Sequence, residues 1–204
     1  SFSVTIMLLL VVLVMRNDMI AQWRAQLPVD TPNYFMANIT EAQKTPLENH
    51  FAENQVTVDE FYPVVRGRFV AVNDERVNTE VTKEEDPEQS EGRRGLGREA
   101  NLSWSDKLQR ENTVVQGQWH ENWEPAGNDL TAEGQQVYPV SVEEGVAQRL
   151  NIALDDLLTF NVGSEIVVTR VTSIREVNWQ TMQPNFFFVL HPAAMQEFSA
   201  TYIT

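Results

Sequence analysis

The sequence predicts an α+β domain carried on an N-terminal transmembrane and stalk helix. Three observations lead to this prediction. The chain opens with an uncharged apolar run at residues 2–15. Beyond residue 33, short segments rich in β-branched and aromatic residues alternate with helix start signals. The 204 residues are 42% hydrophobic and carry a net charge of −14, which is the composition of a water-exposed domain with an ordinary core.

The run at residues 2–15 is apolar on every face, so a helix formed by it has no side suited to water. It is shorter than the roughly 20 residues that a bilayer crossing needs, and we interpret the chain as a fragment that begins inside a transmembrane helix. A buried core helix and a signal-peptide remnant are the alternatives. The signal-peptide interpretation is weak, because the chain has no basic region ahead of the run and no small residues at a cleavage site after it.

The same helix is expected to leave the membrane and continue into water as a stalk. From Met15 the pattern becomes amphipathic, and Pro28 is expected to end the helix. Over 27 residues the rise of about 1.5 Å per residue gives a rod of roughly 40 Å. Trp23 is interpreted as a contact between helix and domain, with an interfacial anchor as the alternative. Arg16, Trp23 and Pro28 are therefore the candidate coupling residues.

Beyond the stalk the sequence predicts a strand, a helix and a second strand. Residues 34–39 are apolar and aromatic, which is typical of a strand. Residues 45–48 are the preferred helix start, because Thr, Pro and Glu stand at capping positions, and Thr40 is the alternative cap. Residues 61–73 predict the second strand, with Gly67 at a bulge or a close approach. Its core candidates are Val65, Phe69 and Val72.

An acidic insert follows residue 73. Residues 80–91 contain six acidic residues and one Lys, and we expect a solvated, mobile loop at residues 78–99. The segments "NLSW" and "TVVQGQW" then predict strands. The most regular block comes next and predicts a strand, a helix capped by Ser141 with Glu144 three residues on, and two strands joined by a tight turn at Gly163.

No catalytic template fits the chain. The segment "HENWE" at residues 120–124 begins like a zinc-protease helix, but Glu124 stands where the second His ligand is needed. The glycine-rich segment at residues 92–99 lacks the Lys-Ser/Thr pair of a phosphate loop. His50, His120 and His191 are far apart in the sequence. Without any Cys, thiol catalysis, disulfides and zinc–thiolate sites are excluded. The sequence thus predicts no catalytic residue, no cofactor and no metal.

The strongly negative charge excludes nucleic acid as a partner, because phosphate binding needs clustered Lys and Arg. Two aromatic residues are candidate contacts instead. Trp179 stands in a loop among polar neighbours, and loops often carry functional residues. Phe186 opens a run of three phenylalanines. Burial on both faces of a strand is the favoured interpretation of this run, and one exposed ring is the alternative.

The order of these elements resembles the extracytoplasmic domain of ABC transporter permeases of the FtsX/MacB-like type. The resemblance covers most of residues 32–204. Its most specific pieces are "FYPVVRGR" at 61–68, the region of Trp104, "SVEEGVAQRL" at 141–150 and "NWQTMQPNFFF" at 178–188. Within that family the chain is most similar to the permeases associated with a lysophospholipase. The acidic insert departs from the family pattern.

The resemblance implies a two-lobed MacB-like periplasmic domain. Residues 1–27 would form the outer part of the transmembrane helix and the stalk, and residues 28–73 plus 177–204 a porter-like α+β lobe. Residues 74–176 would form an inserted second lobe. Such a domain does no chemistry: it couples ATP hydrolysis by a cytoplasmic ABC ATPase subunit to extracytoplasmic conformational change, for export or extraction of hydrophobic or lipid-like cargo.

The resemblance also implies a subcellular location and partners. The location is the bacterial inner membrane, with this domain on the periplasmic side. The partners are the ATPase subunit, membrane lipid, and a periplasmic lysophospholipase or thioesterase. The alternatives are a ligand-sensing ectodomain of a membrane receptor or sensor kinase, and a membrane-anchored enzyme.

Overall fold

The computed structural model describes residues 2–26, 34–73, 75–76, 99–124, 129–179, 181 and 183–204. The side chains of residues 17, 21–26 and 76 are not among those described. Pro28, the side chain of Trp23 and nearly all of the acidic loop predicted at 78–99 therefore lie outside the described residues. The chain divides into two compact units, residues 1–34 and residues 35–204.

The first unit contains the continuous α-helix α1 (Phe2–Gln26). Its stretch Phe2–Ile20 is long and apolar enough to cross a membrane, and none of it is buried against protein. The helix continues without a break past the apolar run, which confirms the prediction that one helix extends beyond it. Arg16 lies on this continuation and is exposed.

The second unit mixes strands with short helices, which confirms the α+β class. In chain order its elements are β1 (Ile39–Thr40), α2 (Glu41–Glu53), β2 (Tyr62–Val72), β3 (Glu75–Arg76), β4 (Glu99–Trp104), β5 (Asn112–Gly117), β6 (Val137–Glu143), α3 (Glu144–Leu150), β7 (Leu157–Val162), β8 (Glu165–Val177), β9 (Phe188–Leu190), a 3₁₀ turn (Pro192–Met195) and β10 (Thr201–Ile203).

Within the described part of the chain, six strands close into a ring. Around the ring β2 pairs with β4, β4 with β9, β9 with β6, β6 with β8, β8 with β7, and β7 again with β2. The β4–β9 and β6–β8 pairs are parallel and the others are antiparallel. Such closure satisfies strand edges that an open sheet would leave exposed. The ring is therefore a small β-barrel.

The two long strands β2 and β8 also carry strands outside the ring. β10 pairs with the start of β2, and β1 pairs with β10. β5 pairs with the last part of β8, from Ser173 to Val177. Because β8 has 13 residues, it holds β7 along its first half and β5 along its second half. Because this pair is antiparallel and Asn112 pairs with Val177, the start of β5 lies close to the loop that follows β8.

Apolar side chains from all six strands fill the ring. At its centre the rings of Phe69, Phe160 and Phe188 lie 5.2 to 5.6 Å apart between centroids. Gly67 allows this packing, because a Cβ atom at that position would lie 2.5 Å from Cδ1 of Leu102. The predicted close approach at Gly67 is thus confirmed. The Phe69 core position is confirmed as well.

Helix α2 begins earlier than the preferred prediction. It starts at Glu41, with Thr40 as the N-cap residue. The backbone N–H of Thr40 donates to Oε1 of Gln43 at 3.0 Å, which satisfies a donor that the helix start would leave free. Pro46 therefore lies inside the helix rather than at its first position. The Thr40 alternative was correct and the start at residues 45–48 was wrong.

Strands from both predicted lobes contribute to the barrel. β2 belongs to the predicted porter-like lobe, and β4, β6, β7 and β8 belong to the predicted insert. Residues 35–204 form one compact unit. The division into two lobes stays a prediction.

Candidate contact site

The residues predicted as functional lie in different parts of the chain. Arg16 is an exposed residue of α1, and Trp23 lies on the same helix. Trp179 and Phe186 lie in the loop between β8 and β9. The structure thus gives one candidate region on the second unit, and it is built around this loop.

Two exposed aromatic rings pack together in the β8–β9 loop. Trp179 is 50% exposed and Phe187 is 45% exposed, and their ring centroids are 5.3 Å apart. Phe186 is only 5% exposed and belongs to an apolar cluster with Tyr62 and Val189. Phe186 was the predicted contact residue, but its ring is packed in the core. Phe187, whose ring is exposed, therefore replaces it as the candidate contact. Trp179 and Phe187 are called the aromatic pair below.

The loop behind the aromatic pair is held by a buried arginine. Arg175 on β8 is fully buried. Its Nε donates to Oδ1 of Asn112 at 3.2 Å and its Nη1 donates to the carbonyl of Ser141 at 2.8 Å. Its Nη2 donates to the carbonyl of Phe186, directly before the exposed Phe187. Burial lowers the pKa of Arg175 to about 10, partly opposed by Glu143, so the guanidinium stays charged at neutral pH.

Asn112 extends this anchor into the loop. Its Nδ2 donates to Oδ1 of Asn185 at 3.1 Å and to the carbonyl of Arg110 at 3.0 Å. Arg175 and Asn112 together connect β5, β6 and β8 with the two residues that precede Phe187. Preorganised side chains bind partners at a lower entropic cost than mobile ones. The Phe187 ring is thus presented from an anchored backbone.

A cavity of about 500 Å³ opens beside Trp179, at the end of the β5–β8 ribbon. Thr113 and Glu176 face each other in the strand register, and the backbone N–H of Asn178 donates to the carbonyl of Glu111 at 3.3 Å. Directly paired residues of neighbouring strands share a face, so Thr113 and Glu176 lie on the same face, and Glu111, which precedes β5, lines the same cavity. The lining consists of Glu111, Thr113, Glu176, Val177, Asn178 and Trp179.

A second polar feature brings together histidines that are distant in the sequence. The rings of His120 and His191 are 5.6 Å apart, and Trp119 stacks on His120 at 4.2 Å. His120 is 4% exposed, and its Nε2 lies 2.9 Å from the carbonyl of Ser105. Burial lowers the pKa of His120 to about 4 and also lowers the pKa of His191. His120 is thus neutral at pH 7 and donates through Nε2.

This buried histidine should make stability depend on pH. The folded-state pKa of about 4 lies below the ordinary 6.5, so the unfolded chain binds the proton first and stability falls as the pH drops below 6.5. We expect a loss of about 2 kcal/mol between pH 8 and pH 5 from this group. Urea unfolding of the parent and of His120→Gln at both pH values measures it. An equal pH dependence in the two proteins would contradict the assignment.

In the described ranges, no group of three His, Cys, Asp or Glu side chains is placed to hold a metal ion. The sequence pattern did not predict that His120 lies beside His191 and Trp119, nor that Trp179 and Phe187 pack against each other. Trp179 was found because a large aromatic residue in a polar loop is unusual, whereas the burial of Arg175 left no local signal.

Comparison with known proteins finds a relative that matches the whole chain. No family model matches the chain. Over all 204 residues the chain is 37% identical to YbbP of Escherichia coli strain K12, which is described as an uncharacterized ABC transporter permease. The resemblance to YbbP-like ABC transporter permeases is confirmed. The chain spans 22% of the length of YbbP. The matched region includes both the apolar helix α1 and the loop that carries the aromatic pair.

Proposed function

We propose that the chain is the extracytoplasmic domain, with its membrane helix, of an ABC transporter permease. In this proposal it couples ATP hydrolysis by a cytoplasmic ABC ATPase subunit to conformational change outside the membrane, and it does no chemistry itself. The observation that carries the proposal is the 37% identity to YbbP over the full chain. This similarity favours a permease over a sensor ectodomain or a membrane-anchored enzyme.

Helix α1 supplies the physical link in this mechanism. Its 25 residues give about 37 Å at the usual helical rise, which exceeds the roughly 30 Å of a hydrocarbon core. Arg16 follows the apolar run, and its long side chain suits the boundary between lipid and water. Trp23 and Pro28 stay the other two proposed coupling residues. A continuous helix of this length transmits displacement because its backbone hydrogen bonds resist bending.

The β-barrel is suited to move as one rigid body when it is displaced. Its strands are hydrogen-bonded around a closed ring, and its aromatic centre is tightly packed. Packed interiors have low compressibility and pass on strain rather than absorb it. The aromatic pair on its surface is the contact that we propose for a partner.

We further propose hydrophobic or lipid-like molecules as the cargo, exported or extracted at the bacterial inner membrane. The domain would lie in the periplasm, where a lysophospholipase or thioesterase is the proposed partner. These assignments rest on the resemblance to the permease family. The net charge of −14 supports a domain that stays off anionic lipid surfaces.

The side of the membrane can be tested with single cysteines, because the chain contains none. Glu165→Cys lies at an exposed strand end beside the hairpin turn, and Phe188→Cys is its buried control. In a cysteine-free full-length permease, a membrane-impermeant maleimide should label Glu165→Cys in intact spheroplasts and Phe188→Cys only after denaturation. Labelling of Glu165→Cys only after lysis would place the domain in the cytoplasm and contradict the proposal.

A further inference from the structure

The aromatic pair has the properties of an interface anchor. Trp179 and Phe187 are large, half exposed and in contact with each other. The two residues before Phe187 are held by hydrogen bonds from Arg175 and Asn112. Tryptophan is among the residues most enriched at energetically dominant positions of protein interfaces, and such positions lie on preorganised structure. The aromatic pair therefore combines the residue type and the fixed backbone that are typical of an interface anchor.

The charge beside the pair is negative and uncompensated. Of the described residues that line the cavity, Glu111 and Glu176 are charged and none is cationic. Neither carboxylate forms an ion pair within the described part of the chain. The neighbouring Arg110 pairs with Asp59 at 3.7 Å, and the buried Arg175 donates to carbonyl and amide oxygens. The cavity therefore favours a cation from outside.

We propose that this cavity receives a Lys or Arg side chain from an extended segment of a protein partner. The cationic head would face Glu111 and Glu176, and the apolar stem would lie along Trp179, which packs against Phe187. A cation close to an aromatic face is also attracted by the ring. The inference rests on the proposed function only in that the partner is met outside the membrane.

Other occupants fit the lining less well. A bound metal would need more ligands, and the described residues offer no group of three suitable side chains. An acyl chain finds little apolar surface, because Val177 is the aliphatic member of the lining and is itself 7% exposed. Phosphates and other anions are repelled by the two carboxylates. A basic side chain is attracted by the two carboxylates and also packs against the Trp179 ring.

Binding can be measured on the full chain in lipid nanodiscs. The probe is the peptide acetyl-Gly-Arg-Arg-Gly-amide, with acetyl-Gly-Glu-Glu-Gly-amide as its acidic counterpart. The readout is the indole N–H resonance of Trp179, assigned with Trp179→Phe. We expect a saturable shift with the basic peptide and at least about tenfold weaker binding in the double variant Glu111→Gln/Glu176→Gln. Affinity should fall as salt rises, because the contact is partly exposed.

The matched control is Glu133→Gln/Glu165→Gln, which removes the same charge from exposed positions outside the cavity lining. It should change the affinity less than about twofold, since distant surface charges are screened. The inference is overturned by no saturable shift, by an equal response to the acidic peptide, or by an equal loss in the control. Saturation by free phosphocholine but not by the basic peptide would assign the cavity to a lipid head group and overturn it too. The titration needs no ATP, so its failure leaves the coupling proposal standing.

Discussion

Replacement of Arg175 by Met should lower the free energy of unfolding by about 4 kcal/mol. Three acceptors, on Asn112, Ser141 and Phe186, would lose a charged donor. Each such hydrogen bond contributes about 1.5–3 kcal/mol, and Met fills a similar volume without donating. Relief of the cost of burying the guanidinium offsets part of this sum. Urea unfolding of the full chain in detergent, followed by circular dichroism, measures the difference.

Arg170→Met is the matched control for this prediction. Arg170 lies on the same strand but is only half-buried, and its Nη1 lies 3.4 Å from the carbonyl of Asp155. We expect a loss below about 1 kcal/mol from this exchange, since long surface contacts contribute little. Equal losses in the two variants would show that the Arg175 hydrogen bonds do not stabilise the fold. The anchored aromatic pair would then lose its structural basis.

Local patterns predicted the elements that local forces determine. The apolar run predicted α1, and β-branched residues on both sides of Gly67 predicted β2 almost to the residue. The strand expected at residues 34–39 is shorter, with Ile39–Thr40 alone forming β1. The backbone of Met36 exchanges two hydrogen bonds with Thr204, from the other end of the chain. Such pairing depends on tertiary structure and leaves no local pattern.

The helix cap in the regular block was placed too early for a similar reason. Ser141 followed by Glu144 matches a capping signal, yet Ser141 lies inside β6 and pairs with Ser173. The cap is Glu143, whose carboxylate accepts from the backbone N–H of Val146 at 2.7 Å. The strand continues because β8 and β9 flank it on both edges. No sequence pattern near Ser141 indicates that β8 and β9 lie beside β6.

The contact site was predicted only in part. Trp179 was found, but the sequence could not tell which phenylalanine is exposed, because alternation does not reveal which set faces the core until the register is known. Arg175 was missed for a different reason. On a strand, a charged residue indicates a solvent face. Its burial depends on Asn112, which lies 63 residues earlier in the chain.

Insertion of four glycines after Arg16 should abolish cargo transport while ATP turnover continues. Each glycine costs about 1 kcal/mol relative to alanine inside a helix, so the insert replaces a stiff rod by a weak joint. Four residues add about 400° of rotation about the helix axis. The side chains beyond the insertion therefore face within about 40° of their original orientation about that axis. The matched control is four alanines at the same point, with the same length and rotation but an intact helix.

The decisive measurement compares both insertions in the full-length permease, reconstituted with its ATPase in proteoliposomes. Phosphate release and movement of a fluorescent lipid-like cargo are recorded on the same sample, and thermal unfolding checks that the domain stays folded. We predict that the glycine variant loses transport at least about tenfold with ATP turnover within about twofold of the parent, whereas the alanine variant transports. Transport by the glycine variant at the parental rate would contradict the claim that α1 carries the coupling.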